Sequence, residues 1–290
     1  MSGWTLGIIG GSGLYEIDGL EDRRWVAVDT PWGSPSDEIL HGRIGPVELR
    51  FLPRHGRGHR LSPSHLPYRA NIDALKRCGC TDLVSISAVG SLREDLAPGM
   101  FVTVDQFVDR TFARPKSFFG EGVVAHVSMA EPVDARLSHL AAAAAREAGA
   151  QVVEGGTYLA MEGPQFSTRA ESELYRAWGC DLIGMTAMPE AKLAREAELP
   201  YASVAMVTDY DCWRPEEAGV EVSHIIEVLH ANAAKGRALV QALARALAAV
   251  ERTAAPADTA LEHALISAPD HRDPALVAKL DAVAARVLSR

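Results

Sequence analysis

Cysteine is scarce in this 290-residue chain: Cys78, Cys80, Cys180 and Cys212 are all there are. They are too few and too scattered for a disulfide framework, and Cys78-Gly79-Cys80 has neither zinc nor CxxC redox spacing. All four therefore read as reduced thiols of a cytoplasmic protein. No apolar run approaches the roughly 20 residues needed to span a bilayer. The N-terminus shows no basic region followed by a long apolar segment, which argues against secretion. Lys and Arg number 29 against 38 Asp and Glu, for a formal net charge of −9, and the cations are scattered. With no basic stripe, nucleic acid is not an expected partner. Neither GxGxxG nor a Walker A loop can be completed around the glycines at positions 10–13, so dinucleotide and P-loop readings are excluded. Against these absences stand 48% hydrophobic and 23% charged residues, the proportions of a globular protein with a substantial core.

Short apolar runs at 5–9, 25–28, 47–52, 83–88, 101–108, 151–161 and 181–184 read as strands, followed by a long one at 200–213. Helical patterns lie between several of them, at 68–76, 135–148, 167–178, 189–197, 222–250 and 274–288. Thr168 with Glu171 fits a capping box that opens its helix. Alternation of strands and helices implies an α/β fold, a central mixed sheet buried by helices on both faces. No internal repeat or long linker interrupts it. The Ala/Pro/Asp stretch at 253–259 is the only seam, so residues 1–252 are expected to form one domain, with 253–290 as a C-terminal helical extension packed on it.

The run at 200–213 ends in two aspartates spaced i, i+2. Alternation along a strand predicts that Asp209 and Asp211 point the same way at its carboxyl end, where ligands bind in open α/β sheets. Two carboxylates on one side repel, which favours one of them protonated near neutral pH. Such a pair can donate to a ring nitrogen and accept from an amino group; two solvated acids in a turn is the plain alternative. Ser12, in the glycine turn after the first strand, and Thr186, after the strand at 181–184, offer hydroxyls to an anion. Arg54 brings a planar guanidinium suited to phosphate oxygens, and His55 a further donor. His55 and His59 stand at i, i+4, but glycines oppose a helix there and no third ligand is spaced to complete a metal site. Ser87 and Ala88 end another strand in small residues, and Phe166 supplies a flat face ahead of a helix. Together these describe a site for a nucleoside and phosphate.

Several segments carry a family resemblance: 7–14 (GIIGGSGL), 54–59 (RHGRGH), 68–76 (YRANIDALK), 88–94 (AVGSLRE), 105–110 (DQFVDR), 129–132 (MAEP), 161–167 (MEGPQFS), 169–172 (RAES), 185–190 (MTAMPE) and 208–213 (TDYDCW). In this order they resemble the trimeric nucleoside phosphorylases, and among those the 5′-methylthioadenosine branch. The resemblance implies phosphorolysis of 5′-methylthioadenosine to adenine and 5-methylthioribose 1-phosphate, a step of methionine and purine salvage. It implies no cofactor beyond inorganic phosphate as co-substrate, no metal, and a homotrimer with active sites at subunit interfaces. It places Ser12, Arg54, His55, Ser87, Ala88 and Thr186 around phosphate, and Phe166, Ser167, Asp209 and Asp211 on the purine side. Met185 lies beneath the ribose. His126, lent by the neighbouring subunit, joins Val222, Ile225 and Ile226 at the 5′ end.

An acid at Asp209, where oxopurine-selective relatives have asparagine, favours an aminopurine. Gly184 departs from the asparagine that several relatives carry before the Met-Thr pair, and the tail beyond Arg252 matches poorly. A 6-oxopurine or 5′-methylthioinosine phosphorylase, a hydrolase and a non-catalytic nucleoside-binding protein are the alternative readings.

Overall fold

The structure, a computed structural model, describes residues 3–11, 13, 14, 16–214 and 222–288, without the side chains of 222–227 and 229–231. An 11-stranded mixed sheet forms its centre. The strands are β1 (Thr5–Gly10), β2 (Glu21–Val26), β3 (Ile39–Ile44), β4 (Val47–Pro53), β5 (Asp82–Ser91), β6 (Phe101–Val104), β7 (Gln106–Asp109), β8 (Val152–Glu154), β9 (Thr157–Ala160), β10 (Leu182–Gly184) and β11 (Tyr201–Asp209). Helices α1 (Tyr68–Arg77), α2 (Ala135–Glu147), α3 (Arg169–Ala177), α4 (Glu190–Glu196), α5 (Val222–Ala248), α6 (Pro274–Lys279) and α7 (Ala285–Leu288) surround it.

Alternation along the central strands sorts their apolar residues to two faces. Leu83 and Val89 of β5 and Tyr201, Ala205 and Val207 of β11 join α1 and α4 in one core cluster. Val84, Ile86, Ala202, Val204 and Met206 join α2 and α5 in the other. The expected α/β layering is therefore present, with helices on both faces. Leu261, Leu280, Val283 and Ala284 of the tail are buried in the first cluster, and Arg286 pairs with the buried Glu198 at 2.7 Å.

Four local expectations are corrected. The run at 101–108 is two strands, because β6 pairs with β11 and β8 whereas β7 pairs with β9. The run at 151–161 divides in step at Gly155 (φ 85°), so both chain segments cross between sheet halves together. The last helix divides into α6 and α7: Asp281 accepts from Ala282 N–H and from Arg77, an alternative to helix continuation. The second strand runs over 21–26 rather than 25–28, held by β3. The capping box at Thr168 and Glu171 is present.

The element that organises the site is β5. Its first half pairs with β1 through residues 82–85 and its last residues pair with β10 at Gly90 and Ser91. Between these two partners, Ile86–Val89 have, among the described residues, a ladder only on the β11 side.

Candidate active site

The gap along β5 is where most of the candidate residues gather. β1 and β4 run parallel and end together at Gly10 and Pro53, so Arg54 enters the sheet beside Ile9 and Ile86. Its guanidinium is buried, and Nη1 donates to Ile86 O at 3.2 Å, Nη2 to Ile9 O at 3.1 Å and to Ser85 Oγ at 2.6 Å. Nε and Nη2 also donate to the two oxygens of Glu190, at 3.0 and 3.2 Å. Burial alone would lower the Arg54 pKa, but Glu190 outweighs it and keeps the guanidinium charged. Tyr201 completes the group by donating to Glu190 Oε1 at 2.9 Å. Glu190 and Tyr201 had no role in the sequence reading. The available signal was Glu190 inside the MTAMPE segment, at the first turn of α4, where an acid suits the helix dipole.

Next to this network lie two buried hydroxyls, Ser87 Oγ and Thr186 Oγ1, that make no hydrogen bond of good geometry among the described residues. Such groups are uncommon in folded chains, because an unpaired buried donor carries its full desolvation penalty. Thr186 N–H donates to Tyr158 Oη at 3.1 Å. Ala88 lies beside Ser87 on the free edge of β5.

His55 follows Arg54 into a turn whose Gly56, at φ 72°, has no space for a side chain: a Cβ there would meet Ser36 O at 3.0 Å. The His55 ring stacks on His59 at 4.2 Å, and Nδ1 lies 2.8 Å from Leu61 O. Burial, with Arg54 nearby, lowers its pKa to about 4. The ring is then neutral near pH 7 with its proton on Nδ1, which leaves Nε2 an acceptor rather than the expected donor.

The two acids come together by a route other than strand alternation. β11 slips register between Val207 and Asp209, leaving Thr208 as a bulge whose hydroxyl lies within hydrogen-bond reach of Val89 O at 3.1 Å and of Asp209 Oδ2 at 2.7 Å. Asp211 lies beyond the strand, in a turn at φ 53°, and its N–H donates to Asp209 Oδ1 at 2.8 Å. Both face Gly90, where a Cβ would stand 3.0 Å from Asp209 Oδ1 and 3.4 Å from the Asp211 Cβ. Burial raises the Asp211 pKa and Asp209 raises it further, outweighing the nearby Ser172 hydroxyl, and Asp211 Oδ2 makes no hydrogen bond of good geometry among the described residues.

A loop closes this end. Cys212 Sγ donates to Ser167 O at 3.2 Å, joining the acid turn to the segment that carries Phe166, which is 46% exposed. Arg114 holds that loop against the residues after β10: it donates to Met185 O at 2.7 Å, Met188 O at 2.7 Å and Glu162 O at 2.6 Å. Glu162, which burial would raise, is held down at about 2 by Ser64 and by the Phe112 and Ala113 N–H groups. Gly163 at φ 71° gives Met185 its space, since a Cβ there would meet Met185 Sδ at 2.5 Å. Arg114 was missed because its partners are scattered along the sequence.

His126 does not join these groups: it is exposed, and its N–H donates to Ala264 O at 2.9 Å. Ser12 and the side chains of Val222, Ile225 and Ile226 lie outside what the structure describes. Among the described residues no group of three or more His, Cys, Asp or Glu could hold a metal ion, and no helix is long and apolar enough to cross a membrane.

The sequence model of the Phosphorylase superfamily matches residues 5–248. The chain belongs to this superfamily. Relatives of this phosphorylase include S-methyl-5′-thioadenosine phosphorylase of Cereibacter sphaeroides, 65% identical over 98% of each chain. The protein of that name from Rhodospirillum rubrum is 58% identical over 98% of this phosphorylase and 97% of its own length. Among solved structures, a methylthioadenosine phosphorylase from an antarctic soil metagenomic library aligns at TM-score 0.91 and 46% identity, covering 98% and 99% of the two chains. A variant of the Schistosoma mansoni adenosine/methylthioadenosine phosphorylase bound to methylthioadenosine aligns at TM-score 0.77 and 38% identity, over 86% and 93%.

Proposed function

We propose that this phosphorylase cleaves 5′-methylthioadenosine with inorganic phosphate, releasing adenine and 5-methylthioribose 1-phosphate. The observation that carries the reading is the place of three of the buried side-chain atoms that lack a hydrogen bond of good geometry. Ser87 Oγ, within the gap in β5, and Thr186 Oγ1 mark an anion end, and Asp211 Oδ2, by Gly90 where the gap closes, marks a base end. The 65% identity to a protein of this name supports the same substrate.

In this reading Ser12, Arg54, Ser87, Ala88 and Thr186 surround phosphate. The Nε2 lone pair of His55 accepts the hydroxyl of the hydrogen phosphate dianion. Arg54 acts chiefly as a fixed positive charge, since most of its N–H groups already hold Glu190 and the sheet. Phe166 and Ser167 face the purine and Met185 the ribose. The C1′–N9 bond loosens first, its electron pair passing to the purine, and a phosphate oxygen then forms the new bond to C1′. Phosphate supplies negative charge beside the developing cation, and positioning with electrostatics supplies most of the rate. Asp209, protonated directly or through water, delivers a proton to N7, so adenine leaves neutral, and Asp211, whose N–H holds Asp209 Oδ1, supports that arrangement. Asp209 as an acid suits a 6-amino group.

The protein works as a homotrimer in which a neighbour's His126, with Val222, Ile225 and Ile226, closes the 5′ end. The exposure of His126, which leaves its ring open to a neighbour, is consistent with that arrangement. The reaction takes place in the cytoplasm, within purine and methionine salvage, and needs no resident cofactor. Residues 1–252 form the phosphorylase unit and 253–290 an extension on it, a division supported by the superfamily match ending at 248.

Comparing release of adenine from 5′-methylthioadenosine with release of hypoxanthine from 5′-methylthioinosine tests the base assignment. Adenine release is expected to be at least tenfold more efficient; equal or inverted efficiencies would contradict it.

A further inference from the structure

Position 184 and residue 158 occupy the same space. β9 and β10 are parallel neighbours, and the Tyr158 ring, fully buried and packed on Phe107 at 5.8 Å, reaches along β10 to its last residue. A Cβ on Gly184 would stand 2.0 Å from Tyr158 Oη and 2.6 Å from its Cζ. No side chain at 184 is compatible with tyrosine at 158, so the departure at Gly184 makes room for a hydroxyl delivered from the adjacent strand.

That hydroxyl sits among the residues assigned to phosphate. It accepts the Thr186 N–H at 3.1 Å. Ser87 lies beside it, with an Oγ that makes no hydrogen bond of good geometry, and Arg54 and Glu190 are both within electrostatic reach. Burial pushes the phenol up, so it keeps its proton across the working pH range. A buried phenol with its lone pair already engaged must direct that proton at an acceptor, and the Ser87 Oγ is the adjacent one.

We propose that Tyr158 is a positioning residue of the phosphate site: it anchors the Thr186 backbone and donates to Ser87 Oγ, so that the Ser87 and Thr186 hydroxyls are both turned to donate to the anion. The assignment rests on the phosphorolysis reading above and adds to it a residue on β9 that acts through Ser87 and Thr186.

Steady-state kinetics of the full chain carrying Tyr158→Phe, with phosphate and nucleoside varied separately, tests this. The expected result is a phosphate KM raised about tenfold, the scale for one hydrogen bond organising a charged ligand, with nucleoside KM and kcat at saturating phosphate within twofold of wild type. A phosphate KM within twofold of wild type, or an equal rise in the nucleoside KM, would overturn it. Should Tyr158→Phe fail to fold, the pair Tyr158→Leu and Tyr158→Leu/Gly184→Ser decides, because the serine introduced on β10 returns a hydroxyl to the vacated volume. The double variant is expected to show the lower phosphate KM, and no difference between the two would overturn the proposal. Wild-type base release that ignores phosphate would instead sink the phosphorolysis reading, whereas a phosphate-dependent wild type with an unaffected Tyr158→Phe sinks only the role of Tyr158.

Discussion

Arg54 and Glu190 form a two-pronged ion pair with both side chains 2% exposed, joining the end of β4 to the first turn of α4. Removing one partner leaves the other charged in the interior, and such changes destabilise by about 3–5 kcal/mol. Glu190→Ala is therefore expected to lower unfolding free energy on that scale in urea titration. Glu190→Gln, which still accepts from Tyr201, should lose less. Equal, small losses in both would contradict a structural charge pair.

Glu196 gives the clearest dependence of stability on pH. Burial raises its pKa from 4.5 to about 7, although Ser117 Oγ and Phe118 N–H both donate to it at 2.7 Å. Because the folded value lies above the unfolded one, the protonated form stabilises the fold fully below pH 4.5, and that contribution is lost as pH rises through about 7. Glu196→Gln can keep both contacts without ionising. Its melting temperature relative to wild type should rise between pH 5 and pH 8, by an amount approaching about 3 kcal/mol in stability. A constant difference across that window would show that Glu196 stays ionised.

For the acid pair, Asp209→Asn is expected to lower kcat on 5′-methylthioadenosine at least about 100-fold, the lower range for general acid catalysis, while circular dichroism stays unchanged. Asp211→Asn should lower kcat as well and raise stability at neutral pH. Protonated Asp211 is tolerated at low pH, and that tolerance is lost as pH rises through its raised pKa, a loss the amide does not suffer. Near-normal turnover in both variants would remove the pair from the mechanism.

Phe166 is nearly half exposed, so Phe166→Ala should leave the melting temperature within a few degrees while raising nucleoside KM about tenfold, the scale of losing one aromatic stack on a base. An unchanged KM would place the purine elsewhere.

What the sequence made legible follows from the range over which each signal acts. Apolar runs and the box at Thr168 and Glu171 act locally, and they located most strands and the α3 start. β3 was invisible because its centre, Leu40-His41-Gly42-Arg43, lacks an apolar pattern, and only pairing with β4 makes it a strand. Asp209 and Asp211 were found, but a bulge at Thr208 and a left-handed residue at 211, not strand alternation, bring them together. Glu190, Tyr201, Tyr158 and Arg114 escaped because their meaning depends on partners far along the chain, such as Arg54 and Glu190 at 136 residues apart. Burial of polar groups is a property of the folded chain, and no local spacing announces it.

The most direct test of the central claim is a product assay on the purified full-length protein with 5′-methylthioadenosine, followed by adenine absorbance and phosphorus NMR, with and without inorganic phosphate. Phosphorolysis predicts adenine release that depends on phosphate, together with one equivalent of a ribose 1-phosphate ester per adenine. Adenine released at the same rate without phosphate, and with no sugar phosphate formed, would contradict it.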